Sequence, residues 1–132
     1  MRALLTLLVF VHLPVAPDSA CANEAPVDNS RMEELFEQDQ RDRKGFPDTE
    51  LSWEEINQRD EARRTEVISA LRRGEIRTAQ DFYIAAIIFH HGQTPDHYRL
   101  ATSLAWIAAT IEPDNKTYLW SSASTWDRLM VS

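Results

Sequence analysis

A chain of 132 residues, 43% hydrophobic and 27% charged, is long enough for one domain with a packed core and too short for two comfortable ones. Twenty-one acidic against 14 basic side chains give a net charge of −7. That balance, with no Lys/Arg-rich patch interleaved with aromatics, argues against nucleic acid as a partner, because a polyanion is bound through a basic face that displaces its counterions.

The first 22 residues read as a secretory signal. Arg2 is a minimal positive start, and Ala3 to Leu13 form an apolar run of eleven residues. A spanning helix needs about 20. Pro14 and Pro17 break the run, and small residues follow. Ala20-Cys21-Ala22 fits cleavage after Ala22, which leaves a mature protein without cysteine. The competing route, lipidation of Cys21, has Asp18 where an aliphatic residue is wanted and is less favoured. The expected location is secreted or periplasmic, with no transmembrane helix in the mature protein. Disulfides play no part under either route.

Residues 23–30 are a polar, Pro-containing linker, and a helical domain is expected over 31–132. Helix one spans about 31–44, with Met32, Leu35, Phe36, Asp39 and Arg43 on one stripe. "GFPDTEL" is a loop. Ser52 and Glu55 form a capping box for a very polar helix two that runs to about Arg73. Thr78 caps helix three, about 79–91, whose "FYIAAIIF" run is apolar all round and marks the central, most buried helix. Thr94 caps helix four, about 95–111, with Pro95 at its first position and Ala101, Ala105, Ala108 and Ala109 allowing close approach of neighbours. Asn115 caps helix five, which Trp120, Trp126 and Met130 mark as packed. Gly45, Gly74 and Gly92 each follow a helical pattern, where a left-handed residue is wanted. No sustained period-2 alternation and no hairpin signal occur. The fold class is therefore all-α, a single-domain bundle of about five helices. The last helical pattern meets no stop signal, which leaves the completeness of the C terminus open.

Three of the four histidines, His90, His91 and His97, fall within "HHGQTPDH". The i, i+4 histidine spacing of a helical metal site is absent, and no metal or other cofactor is expected. His90 and His91 suit the negative end of helix three, and His97 shares a stripe with Ala101, Leu104 and Ala108. Asn115-Lys116-Thr117 matches a glycosylation sequon, which has meaning only in a eukaryotic secretory setting. The misplaced charges say more. Ile56, Asp60, Arg64, Val67 and Leu71 share one face of helix two, and Asp39 lies on the apolar stripe of helix one. A charge on a core-facing stripe is costly unless paired or wet. The bland explanation is an Asp60–Arg64 pair at the core's edge with Asp39 in the same network. The functional one is a polar cleft between helices one and two, floored by helix three, into which His90 or His91 reaches.

"MEELFEQDQRDR", "FYIAAIIFHHGQTPDHYRLATSLAWIAAT" and "SASTWDRLMVS" together resemble a bacterial family of small secreted helical proteins of unknown function. The resemblance spans about residues 32–132 in three ordered blocks and singles out Asp39-Gln40, His91-Gly92 and Asp127-Arg128. Members continue past the last block with a short Gly- and Pro-containing tail that this sequence lacks. The resemblance implies a class and no chemistry. Residues 82–109 are more weakly similar to one tetratricopeptide-type hairpin, a unit that binds peptides when repeated.

Three functions are then in view. The leading one is a module that binds a protein or peptide partner, for which an exposed apolar groove bearing Trp53 or Trp106 is expected. The alternative is a small hydrolase-like enzyme, with His91 or His90 as general base, Asp39 or Asp60 orienting it and Arg64 stabilising an anion. Gln40, Asp127 and Arg128 are the binding candidates beside them. The third is a structural envelope protein. The sequence leaves the oligomeric state open.

Overall fold

The computed structural model describes residues 24–44 and 50–132. The signal segment 1–22 with Cys21, and Gly45 with the first part of its loop, lie outside the described residues. Among those described there are five helices and no strand: α1 (Ser30–Arg43), α2 (Trp53–Arg73), α3 (Ala79–His90), α4 (Pro95–Ile111) and α5 (Lys116–Met130). The fold is an all-α bundle, and no described helix is long and apolar enough to cross a membrane.

Each helix begins where a side chain can accept its orphan N–H groups. Ser52 and Glu55 close a reciprocal capping box on α2, and Thr78 and Asp81 do the same on α3. Thr94 caps α4 with Pro95 in its first turn, and Asn115 caps α5. Asn29 caps α1, and its backbone N–H donates to Asp81 Oδ1 at 2.8 Å. Asp81 is wholly buried and its other oxygen accepts from the backbone of Arg77 and Thr78, so one carboxylate joins the entry of α1 to the entry of α3.

The apolar α3 is central, as its composition predicts: it packs on each of the other four helices. Ile84, Ala85, Ala86 and Ile88 are almost fully buried, against Met32 and Leu35 of α1, Val67 of α2, and Ala101, Leu104 and Ala105 of α4. The alanines of α4 are buried to the backbone, which brings α4 close to α3.

Two local expectations are corrected. Trp120, Trp126 and Met130 do not pack α5: they are 69%, 50% and 64% exposed. The helix is buried instead through Tyr118, Ser121, Ser122 and Thr125; the three small side chains permit a close approach, and the hydroxyls of Ser122 and Thr125 bond back to backbone carbonyls. Gly74 is left-handed (φ 68°), but Gly92 is not, and no other described residue has a positive φ. Gly92 is required for space. A Cβ there would overlap His97, whose Cγ would lie 2.6 Å away, while His97 Nδ1 accepts the Gln93 N–H and its ring meets Phe89 edge-on.

The two glycines therefore predict different losses. Gly74→Ala meets open space and costs only its strained backbone, about 1 kcal/mol. Gly92→Ala must displace His97 and costs about 1–3 kcal/mol as an overpacked site does. Urea denaturation of both variants checks the order, and an unchanged midpoint for Gly92→Ala would contradict the packing argument.

Candidate functional site

The helices α1 and α2 run antiparallel, as their ion pairs show: Arg31 meets Glu66 at one end, while Asp42 meets Arg59 and Arg43 meets Asp60 at the other. The N-terminal half of α1 contributes Met32 and Leu35 to the core. One stripe further along the same face, the residues become Asp39, Asp42 and Arg43. Their counterparts on α2 are Asp60 and Arg63. The seam between the two helices is thus apolar at one end and ionic at the other.

The ionic end is closely connected. Arg63 is 4% exposed and donates from Nη1 to Asp42 at 2.8 Å and from Nη2 to Asp60 at 2.5 Å. Arg43 donates to Asp39 Oδ1 at 2.8 Å and to Asp60 Oδ2 at 2.5 Å. Gln40 donates its amide to Asp39 Oδ2 at 2.9 Å. Asp39 is completely buried and accepts one further bond, from His91 Nδ1 at 3.0 Å. An ionised carboxylate can only accept, so Nδ1 carries the proton and Nε2 of the neutral ring holds a lone pair. Nε2 has no protein partner among the described residues, and the His91 side chain is 24% exposed.

This ring lines a cleft of about 470 Å³ together with His90, Arg43, Asp60, Tyr98 and Arg128. Trp53, Asn57, Gly92 and Gln93 complete its wall. Arg128 reaches in from α5, with its guanidinium 5.0 Å from the Tyr98 ring centre and one N–H to the Tyr98 hydroxyl at 3.3 Å. Arg128 has no carboxylate within salt-bridge reach among the described residues, so its charge is available to the cleft.

Burial pushes the Asp39 carboxyl up, but the hydrogen bond and charge of His91, with Arg43 and Gln40, outweigh it and hold the group below its ordinary value. His90 is held down by burial first and then by His91 and Arg128, which favours its neutral ring; its Nδ1 is buried without a hydrogen-bond partner. An imidazole that lines a cleft with its Nδ1 held on a buried carboxylate has the arrangement from which a neutral ring can act as a general base through Nε2.

The residues singled out from sequence distribute as follows. Asp39, Gln40, Asp60 and His91 come together, and His90 and Arg128 share the same cleft. Asp127 is exposed and does not line the cleft. Arg64 is not there either, nor does it pair with Asp60. One step of about 100° around α2 turns it away, to Glu61 at 2.9 Å and a separate hollow beside Phe89 and His97. Arg63, three residues from Asp60, takes the place expected of Arg64. Arg63, Asp42, Asn57 and Tyr98 were not legible as site residues, although the i, i+3 spacing of Asp39 with Asp42 and of Asp60 with Arg63 is a usable signal. His90 lies in the last turn of α3 and His91 is its C-cap, and His91 is in addition held by Asp39 of α1. No group of three or more His, Cys, Asp and Glu side chains among the described residues could hold a metal ion. In comparisons with protein-family models, curated proteins and solved structures, nothing matches the chain.

Two tests follow from the cluster. Arg63→Met takes one of two arginine partners from each of the buried Asp42 and Asp60 and should cost about 3 kcal/mol, whereas Arg59→Met, at a half-exposed pair with the same Asp42, should cost less than about 1 kcal/mol. Equal losses in urea would contradict the difference in burial. Because the folded Asp39 binds its proton less readily than the unfolded one, its stabilisation is complete above the ordinary carboxyl value of 3.8 and is lost as pH falls through the lowered folded value. Asp39→Asn should therefore flatten the acid limb of stability against pH below about 4, read by thermal melts, and an unchanged limb would count against it.

Proposed function

We propose that this protein is a small hydrolase-like enzyme in which His91, oriented by Asp39, acts as general base on an anionic ester held by Arg128. The observation that carries the reading is the 3.0 Å bond between His91 Nδ1 and the buried Asp39, beside a cleft that contains a guanidinium without a carboxylate partner. Water adds to the electrophilic centre of the ester while its proton passes to His91 Nε2. The ester bond to the leaving oxygen breaks, and that oxygen takes the proton back from the imidazolium. Arg128 faces the negative charge of the substrate. Arg43 and Asp60, already bonded to one another, keep the floor of the cleft rigid and near neutral. The leader-like start of the sequence supports a secreted or periplasmic setting. The three blocks that resemble the bacterial family supply Asp39, Gln40, His91 and Arg128, which supports family membership as part of the same proposal.

A second reading, a module that binds a protein or peptide, is favoured by a different surface. The outer faces of α4 and α5 expose Trp106, Ile107, Ile111, Leu119, Trp126 and Met130. Leu119, Trp126 and Met130 share one stripe by their spacing. Trp106 lies on this surface, and Trp53, equally exposed, lines the cleft.

A panel of chromogenic anionic esters (aryl phosphate, aryl phosphodiester, aryl sulfate) separates the two. The enzyme reading expects turnover of at least one, reduced roughly 100- to 10,000-fold in His91→Gln and little changed in Trp106→Ala. No turnover of any ester, or turnover that survives His91→Gln, would overturn it.

A further inference from the structure

Next to the cleft lies a second concavity, of about 300 Å³, between α1, α3 and α5. It shares only His90 and His91 with the cleft. Its character differs: no Asp, Glu, Lys or Arg lines it. Aromatic rings flank it, with Phe36 and Tyr83 at a centroid distance of 6.1 Å and Trp120 at the rim, 69% exposed. Between the rings stand the amide of Gln40 and the hydroxyl side chains of Ser121, Ser124 and Thr125.

Two polar atoms here lack partners. Ser121 is 1% exposed and its Oγ is buried without a hydrogen bond, although Thr125 and Ser122 on the same helix bond back to the backbone. His90, which lines both concavities, also has its Nδ1 buried without a partner. A buried donor or acceptor left unpaired is costly, so an unpartnered serine hydroxyl in the wall of this concavity points to a polar occupant that it reaches by turning about its own side-chain bond. That occupant is uncharged, since no Asp, Glu, Lys or Arg lines the groove to pair a charge. It also has an apolar face for the indole of Trp120 and a ring edge of donors and acceptors for Gln40, Ser121 and His90. A pyranose ring has both, and the volume suits a single ring.

Resting on the acid–base reading of the cleft, we infer that this groove is a sugar subsite and that the substrate class is a phosphorylated sugar. The sugar ring sits on the Trp120 side and the phosphate on the Arg128 side, with the bond to be broken beside His91. Hydrolysis then releases a neutral sugar into the groove and inorganic phosphate into the cleft, with water supplying the added oxygen.

The test reads binding without turnover, so it stands or falls separately from the ester assay. The indole N–H signal of Trp120, assigned through Trp120→Phe, is followed by NMR in the full protein as methyl glucoside, glucose 1-phosphate or adenosine is added. Methyl glucoside is expected to shift it with a dissociation constant in the millimolar range, and glucose 1-phosphate to bind roughly tenfold more tightly. Arg128→Ala should abolish that tenfold gain and leave the glucoside unaffected. Ser121→Ala should weaken both sugars while its urea midpoint holds or rises, because it removes a hydroxyl that has no partner in the free protein. A merely structural serine would lower the midpoint and leave sugar binding alone. No shift with either sugar up to roughly 50 mM, well beyond a weak millimolar site, would overturn the inference. A shift with adenosine and none with the glucoside would overturn it as well.

Discussion

The buried ion-pair cluster between α1 and α2 is the constraint on which the site depends. Three carboxylates, Asp39, Asp42 and Asp60, meet Arg43 and Arg63 at the ionic end of an otherwise apolar seam. Burying such charges is not an efficient way to hold two helices together, since desolvation offsets most of the attraction. Hydrophobic residues would serve stability as well. What the cluster supplies is position. Each carboxylate has at least two donors, so neither α1 nor α2 can slide without leaving a charge unpaired. Asp39 is held by Arg43 and Gln40 from its own helix and keeps one direction open, toward His91.

The central helix converts that position into a site. It is apolar almost throughout and packs on every other helix, so its C-terminal end is fixed relative to all of them. His91 is the residue at that end. The turn that follows is tight because Gly92 has no side chain and His97 folds over it. The same turn brings α4 and its Tyr98 back alongside, and Tyr98 carries Arg128 of α5. The cleft is thus assembled from all five helices around one imidazole, and its acidic and basic groups arrive from different parts of the chain. The groove beside the pair depends on the same geometry: α5 packs through small residues and so brings Ser121 into the lining of a concavity that His90 also lines.

Much of the fold was legible because each helix carries its own punctuation. Ser52, Thr78, Thr94 and Asn115 all cap where the sequence suggests, and the unbroken apolar run of α3 announces the centre. Aromatic residues misled on α5. Trp120 and Trp126 read as core because large apolar side chains usually are, whereas the buried stripe is Ser121, Ser122 and Thr125, whose burial depends on helix spacing and not on hydrophobicity. The site was legible in part. Asp39 and Asp60 stood out as charges on apolar faces, which is a one-dimensional pattern. Their partners did not, because Arg63 against Arg64 is a difference of one position around a helix, decided by which face meets α1. The link from Asp39 to His91 joins residues 52 apart in sequence and exists only in three dimensions.

The central claim is that Asp39 fixes the tautomer of His91 and thereby leaves Nε2 as the base in the cleft. Long-range ¹⁵N–¹H correlation NMR of the histidine rings measures this directly, at a pH where the ring is neutral. The account predicts that His91 carries its proton on Nδ1, and that Asp39→Asn removes this preference. A proton found on Nε2 of His91 in the wild-type protein would contradict the account, since the nitrogen facing the cleft would then be a donor with no lone pair to offer.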